Sequence, residues 1–372
     1  MKKLLSAILA AGMAMSLAAC GGSAAPATTA APATTAAPAE TKAEEKKEET
    51  KAEEKKEETK AEAGAKAEGG ALKTASGWPD KPITLLCGYS AGGSSDLGCR
   101  YLASALEKQL GVPVIVENAP GSGSTVAWMR LLNNTEPDGN TFALVNLSIV
   151  YGAYDETNPR EYTIDSFDLL ANHVIDYQCV AIRTDDDRFN DYQSLIDYGK
   201  ENGLICACAT TTLTSGDATV AKMMEKEYGC KITIIPVEGA GDAETMFLAG
   251  EVDFLIGNVG DMMEAEENGY KVVVVYGDER SEYLPDVPTE KELGIGDYVS
   301  FSARGYAYMP GVDEDKREVM MTALANAFED PEYQKNMEAM GAELKLYTGE
   351  DYYNLLMDQL DQRLEIWGVE KK

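Results

Sequence analysis

Ile83-Thr84-Leu85-Leu86-Cys87, then Gly88-Tyr89-Ser90-Ala91-Gly92-Gly93-Ser94-Ser95-Asp96, then Leu97, Tyr101, Leu102, Ala105 and Leu106 at helical spacing: the stretch from Ile83 to Gln109 sets the fold class. The apolar run reads as a buried strand and the spaced residues as a helix. Between them, a glycine- and serine-rich loop at a helix start leaves backbone N–H groups unpaired, and the helix dipole adds positive potential there. Such a loop is a seat for a carboxylate or phosphate. A tight turn with Ser94 or Ser95 as helix cap reads the same residues equally well.

The alternation continues outward. Strands are expected at 83–87, 113–117, 141–146, 178–183, 204–208, 231–235, 252–257 and 271–276. Helices are expected at 95–110, 123–132, 190–202, 215–228, 241–249 and 260–268, with a helical end at 313–329, 331–340 and 349–366. Strand-helix alternation with short connections implies an α/β protein with mostly parallel sheets flanked by helices, whose ligands bind at the carboxyl ends of strands. Small, hydroxylated loops recur there, at 120–125, 209–217 and 238–242, and imply a polar cleft lined by amides and hydroxyls.

The segment before the body assigns a compartment. Residues 1–20 have the form of a signal peptide: Lys2 and Lys3, an apolar core from Leu4 to Leu17, then small residues. Leu17-Ala18-Ala19-Cys20 resembles a bacterial lipobox, in which Cys20 is lipidated and becomes the first mature residue. The apolar core is too short for a membrane span. Residues 21–77 are expected to be a tether. The first part repeats Ala, Pro and Thr, and Thr-Lys-Ala-Glu-Glu-Lys-Lys-Glu-Glu then occurs twice from Thr41 to Glu58, with no apolar face to bury.

Residues 1–73 hold eleven lysines and eleven glutamates, so the net charge of −30 belongs to the chain from Thr74 onward. So acidic a body argues against nucleic acid or an anionic membrane surface as partner. A small anion in a cleft remains compatible, because local amides and one or two cations outweigh a distant, screened surface. Beyond Cys20, the cysteines Cys87, Cys99, Cys179, Cys206, Cys208 and Cys230 fall in apolar patterns and read as buried thiols. With one histidine and no second cysteine pair at finger spacing, neither a metal site nor a cofactor is expected.

Gly88-Tyr89-Ser90-Ala91-Gly92 also matches G-x-S-x-G between strand and helix, which would make Ser90 the nucleophile of a serine hydrolase. That reading needs a downstream histidine, and His173 is the sole candidate. The motif also falls on the body's first strand, where an α/β-hydrolase would already have built several.

The ordered motifs resemble a family. Trp78-Pro79-Asp80-Lys81-Pro82-Ile83 with Tyr89-Ser90-Ala91-Gly92-Gly93-Ser94-Ser95-Asp96 is similar to the opening of the tripartite tricarboxylate transporter substrate-binding proteins, the TctC or Bug family. Val114-Ile115-Val116-Glu117-Asn118 with Pro120-Gly121-Ser122-Gly123 resembles the family's strand and glycine loop. Glu136-Pro137-Asp138-Gly139-Asn140-Thr141, Leu284-Pro285-Asp286-Val287-Pro288-Thr289, Arg304-Gly305 with Pro310-Gly311, Gly341-Ala342-Glu343 and Trp367-Gly368 follow in the family's order.

The resemblance implies a two-domain periplasmic-binding-protein fold of type II-like character, with a ligand cleft between domains. Domain 1 would be 78–177 plus 299–372, and domain 2 178–298. The function implied is a non-enzymatic, extracytoplasmic lipoprotein of the cell membrane. It would capture a small organic acid and hand it to membrane permease subunits, with a monomeric body. A ligand-binding lipoprotein serving a sensor or scaffold is the alternative.

Carried onto this chain, the ligand residues are Tyr89, Ser90, Gly93, Ser94, Ser95, Asn146, Ser148, Thr212, Thr214, Ser215 and Asn258. Arg304 joins them as the best-placed cation; a hinge-side ion pair is its other reading. Tyr89 could line the pocket or cover the core, and Asn258 could meet the ligand or tie its own turn. Asp96 would repel an anion and reads as a first-turn charge or a clamp on the loop. The chain departs from the family at Thr211-Thr212-Leu213-Thr214-Ser215-Gly216-Asp217, where a Gly-x-Gly-Thr loop ending in His is usual, and at Gly257.

Overall fold

The structure, a computed structural model, describes residues 70–208, 211–237 and 239–372. The leader, Cys20 and the repeat segment lie outside the described residues. Residues 71–77, assigned above to the tether, run along the body: the Leu72 amide donates to the Gln109 carbonyl at 2.8 Å, and Thr74 is buried beside Trp78.

Strand β1 (Ile83–Cys87) lies between β2 (Val114–Asn118) and β3 (Thr141–Val145), parallel to both. A central strand covered on both faces has no solvent side, which is why its sequence is continuously apolar. Helix α1 (Ser94–Leu110) packs Cys99, Leu102, Leu106 and Leu110 inward and ends at Gly111, whose φ of 67° closes the helix in a left-handed turn. Helices α8 (Glu314–Phe328) and α9 (Pro331–Glu338) pack against α1, so Leu85, Leu106, Leu324 and Tyr333 share one core.

The longest strand, β4 (Asp168–Arg183), is buried along nearly its whole length. Its first half pairs with β9 (Phe301–Tyr308) and β10 (Leu344–Thr348), its second half with β7 (Leu255–Asn258) and β8 (Tyr270–Val275). The change of partners falls between Tyr177 and Gln178. The second half shares a core with α4 (Tyr192–Asn202) and α5 (Gly216–Tyr228), which meet Ile182, Leu195, Val220 and Phe254. Strands β5 (Leu204–Cys208) and β6 (Ile232–Pro236) form a parallel pair beside them, connected through α5.

The α/β class and the flanking helices hold, but the sheets are mixed rather than mostly parallel. All four pairings of β4 are antiparallel, as is β3 with β9. Periodicity alone starts this strand at 178 because its first half carries buried Asn172, His173 and Asp176, which interrupt the apolar pattern. It passes over β9 for a similar reason. Gly305 stands mid-strand because a Cβ there would meet the Tyr352 side chain and the Ala171 carbonyl oxygen.

The helix expected at 260–268 is only a tight turn over Val259–Met262, since Gly260 is pressed against the Gly341 carbonyl and Asp176. Three further helices complete the order before the terminal one: α2 (Thr125–Asn134), α3 (Ser148–Tyr151) and α6 (Ala240–Leu248). A fourth, α7 (Glu290–Leu293), is a single capped turn, and α10 (Gly349–Trp367) ends the chain, touching α3, α5 and β4. No helix among the described residues is long and apolar enough to cross a membrane.

Candidate functional site

The loop after β1 is held from inside by Asp96. Its buried carboxylate accepts from the Gly92 amide at 2.8 Å, the Asn118 side-chain amide at 2.8 Å and the Arg100 guanidinium at 3.0 Å. Asn118 also donates to the Tyr89 carbonyl at 3.0 Å. Burial alone would raise the Asp96 pKa, but these donors outweigh it and hold the carboxyl below its usual range. Asp96 is thus the clamp on the loop. The residue capping α1 is Gly93, not Ser94 or Ser95.

The clamped loop aims Tyr89 inward. Its hydroxyl accepts from the Asn146 side-chain Nδ2 at 2.6 Å, while Asn146 Oδ1 takes the Ser148 backbone N–H at 2.8 Å. Tyr89, Ser95, Asn146 and Ser148 line a cavity of about 350 Å³. Thr214, Asp217, Gln178 and Asn258 line it too, with Ser302, Arg304 and Arg363. The change of partners along β4 therefore borders this cavity at Gln178.

Most of the expected site residues come together here. Thr212 and Ser215 instead line an adjoining hollow of about 430 Å³, which shares Ser148 and Thr214 with the first. Ser215 also caps α5, its side chain accepting from the Ala218 amide at 3.2 Å. Ser90, Gly93 and Ser94 are exposed and do not line the cavity. Asn258 both lines it and accepts from the Ser302 hydroxyl at 3.1 Å. Arg304 likewise does two things: it lines the cavity and stands 3.9 Å from buried Asp176. Burial pushes the Asp176 carboxyl up to about 7 against the pull of Arg304 and the Gly260 amide.

Gln178, Tyr151 and Arg363 are not among the residues to which the sequence motifs point, and Asp217 enters there only as the end of the departing Thr211–Asp217 stretch. Gln178 donates to Asp217 at 2.8 Å and accepts from the Ser300 hydroxyl. Gly216 has no room for a Cβ, which would run into the Gln178 side chain. Arg363 is 3% exposed, gives one bond to the Leu213 carbonyl at 3.1 Å, and packs on the Tyr151 ring. The sequence does carry a signal for it: it falls on the buried stripe Leu356, Gln359, Leu360, Arg363, Leu364 of α10, where a charge needs a reason.

Ser90 has no base. His173 is fully buried between Tyr306, Phe328 and Tyr333, its Nδ1 at 3.0 Å from the Tyr333 hydroxyl. Burial pushes its pKa down to about 3. All six body cysteines are free and buried, and no metal-ligating cluster occurs among the described residues. A different hollow of about 450 Å³ between α5 and α10 gathers Glu227, Glu290, Asp297 and Glu365 around Lys226, an acidic lining that disfavours anions.

The family model described as the tripartite tricarboxylate transporter family receptor matches residues 99–368. The chain belongs to this family. A relative from Cupriavidus necator, the UPF0065 protein in the gbd 5' region, is 29% identical over 283 residues, covering 76% of this chain and 85% of that one. Among solved structures, a TctC solute-binding protein from Polaromonas superposes with a TM-score of 0.68 at 22% identity, over 78% of this chain and 99% of that one. MatC from Rhodopseudomonas palustris, with bound malate, gives 0.64 at 20% identity, over 78% and 99%. At these identities the likeness is one of fold, the α/β periplasmic-binding-protein architecture. As a TctC-family chain it is a solute-binding receptor.

Proposed function

We propose that this TctC-family receptor is an extracytoplasmic lipoprotein, anchored through Cys20, that captures a small organic acid and delivers it to a tripartite tricarboxylate-type permease. The observation that carries the reading is the cavity beside Gln178. It joins two arginines, Arg304 and Arg363, with the neutral donors of Asn146, Ser148 and Thr214 in a volume suited to a small molecule. Binding of this kind needs no nucleophile or general base. A carboxylate accepts charge-assisted hydrogen bonds, directly or through ordered water, and closure follows from tighter binding to the closed state. We assign residues 78–177 with 299–372 to one domain and 178–298 to the other; the switch of β4 partners after Tyr177 supports that division. The malate named for the Rhodopseudomonas structure supports a carboxylate as the ligand class.

Two measurements test the whole reading. Radiolabelled palmitate should label the wild type and not Cys20→Ser. Uptake of the bound acid through the membrane subunits should stop when the chain is removed and return when it is restored. Uptake indifferent to the chain, with binding intact, would favour a sensor or scaffold role instead.

A further inference from the structure

The β4–β9 register sets Asp176 opposite Ser302 and Val174 opposite Arg304, so Asp176 and Arg304 are diagonal neighbours on one face of the sheet. Arg304 lines the cavity, whereas Asp176 is buried and outside its lining. Among the described residues, Arg304 is the one lysine or arginine within 4.0 Å of Asp176. At 3.9 Å the two form an ion pair without a hydrogen bond. The Asp176 carboxylate accepts instead from the Gly260 amide at 3.1 Å.

The other charges facing Asp176 are mostly of its own sign. Asp261 approaches from the turn after β7 and Glu343 from the segment before β10; Lys345, beside Glu343, is shared with Glu279. The Tyr283 hydroxyl, which donates to the Ala342 carbonyl, and the Cys179 thiol are neutral neighbours. Burial, opposed first by Arg304 and then by the Gly260 amide, pushes the Asp176 carboxyl up to about 7, and Asp261 and Glu343 add to the push.

One guanidinium must therefore serve two anions once the cavity is filled. With the cavity empty, Arg304 partly offsets Asp176. A carboxylate seated on Arg304 brings a second negative charge into the same low-dielectric space, and one cation cannot neutralise both. Two carboxylates crowded onto one cation hold a proton between them. The organic acid is the stronger acid of the two, so the proton goes to the buried carboxyl behind the arginine.

We propose that the receptor binds its organic acid together with a proton, which Asp176 takes from solvent as the acid's carboxylate settles on Arg304. The proposal rests on reading this cavity as the ligand site and adds a second bound species to it. Binding that takes up a proton strengthens as pH falls, and by reciprocity protonation of Asp176 raises the affinity for the anion.

Calorimetric titration of the full chain with malate, succinate, glutarate and benzoate, all ionised from pH 7.0 to pH 8.5, tests it. The tightest of the four should bind at least threefold tighter at pH 7.0 than at pH 8.5. At pH 7.5, heats in phosphate and in Tris, whose ionisation enthalpies differ, should report uptake of roughly half a proton per anion, the free receptor carrying part of it already. Asp176→Asn, which keeps an oxygen for the Gly260 amide, should bind without that uptake and change less than twofold over the same pH span. Asp217 is the other buried carboxyl at the cavity, pushed by burial up to about 6. Asp217→Asn, whatever it does to affinity, should keep the uptake, and it decides if Asp176→Asn does not fold. Binding without proton uptake overturns the proposal and leaves the organic-acid site standing, as does uptake that survives Asp176→Asn or disappears in Asp217→Asn. Absence of binding by all four acids overturns both.

Discussion

The guanidinium carbon of Arg363 stands 3.9 Å from the centre of the Tyr151 ring, so one buried aromatic face supports one buried cation. The Tyr151 hydroxyl adds nothing to that contact: it is buried without a partner, and burial pushes its pKa up to about 12. Tyr151→Phe should therefore keep or raise stability, because it removes an unsatisfied polar group worth about 1 kcal/mol or more while keeping the ring. Tyr151→Leu should lower it by ~2 kcal/mol through the lost cation–π contact and lost packing. Urea midpoints of the two variants check this; equal losses would contradict it.

Asp96 governs the loop that carries Tyr89. Asp96→Ala leaves the Gly92 amide, the Asn118 amide and Arg100 without their acceptor and should cost ~2–3 kcal/mol. Its folded-state pKa is depressed, so its contribution is present above the unfolded value and is lost as pH falls through the folded one. Denaturant titrations at neutral and acidic pH should show the gap between wild type and Asp96→Ala narrowing in acid.

His173 works in the same direction on the pH axis for a different reason. It is buried neutral, with a pKa near 3 against 6.5 unfolded. Between those values the unfolded chain binds the extra proton, so stability rises with pH there and is lost on acidification. From pH 6.5 to 5 this one group accounts for up to ~2 kcal/mol. His173→Phe should show a smaller drop in melting temperature between pH 7 and pH 5 than the wild type; an unchanged drop would show that His173 is not the titrating group.

The sequence is most legible where burial is simple. Ile83–Cys87, α1 and the parallel β5–β6 pair follow directly from apolar runs and helical spacing, and the motif order around them leads to the family. Legibility fails where a polar residue is buried because another segment satisfies it. Asn172 and Asp176 inside β4 take their partners from Lys345 and Gly260, both distant in the chain, so no local pattern announces the strand. The cavity divides in the same way. Tyr89, Ser95 and Asn146 follow strand ends and Asn258 ends β7, where ligand loops are expected, whereas Arg363 comes from α10 and meets the cavity only through tertiary packing. Ser90, Gly93 and Ser94 belong to the same loop as Tyr89 and Ser95 but are exposed and outside the cavity lining.

Binding of an organic acid in the cavity shared by Arg304 and Arg363 is the claim on which the proposed function stands. Calorimetry on the full chain, using the best acid from a thermal-shift panel of di- and tricarboxylates, aromatic acids, amino acids and sugars, tests it most directly. Arg304→Met should cost ~1.5–3 kcal/mol of binding, roughly tenfold to a hundredfold. Replacing both arginines by methionine should abolish measurable binding in a protein that still unfolds cooperatively. An acid that binds the double variant as tightly as the wild type would place the site elsewhere and contradict the claim.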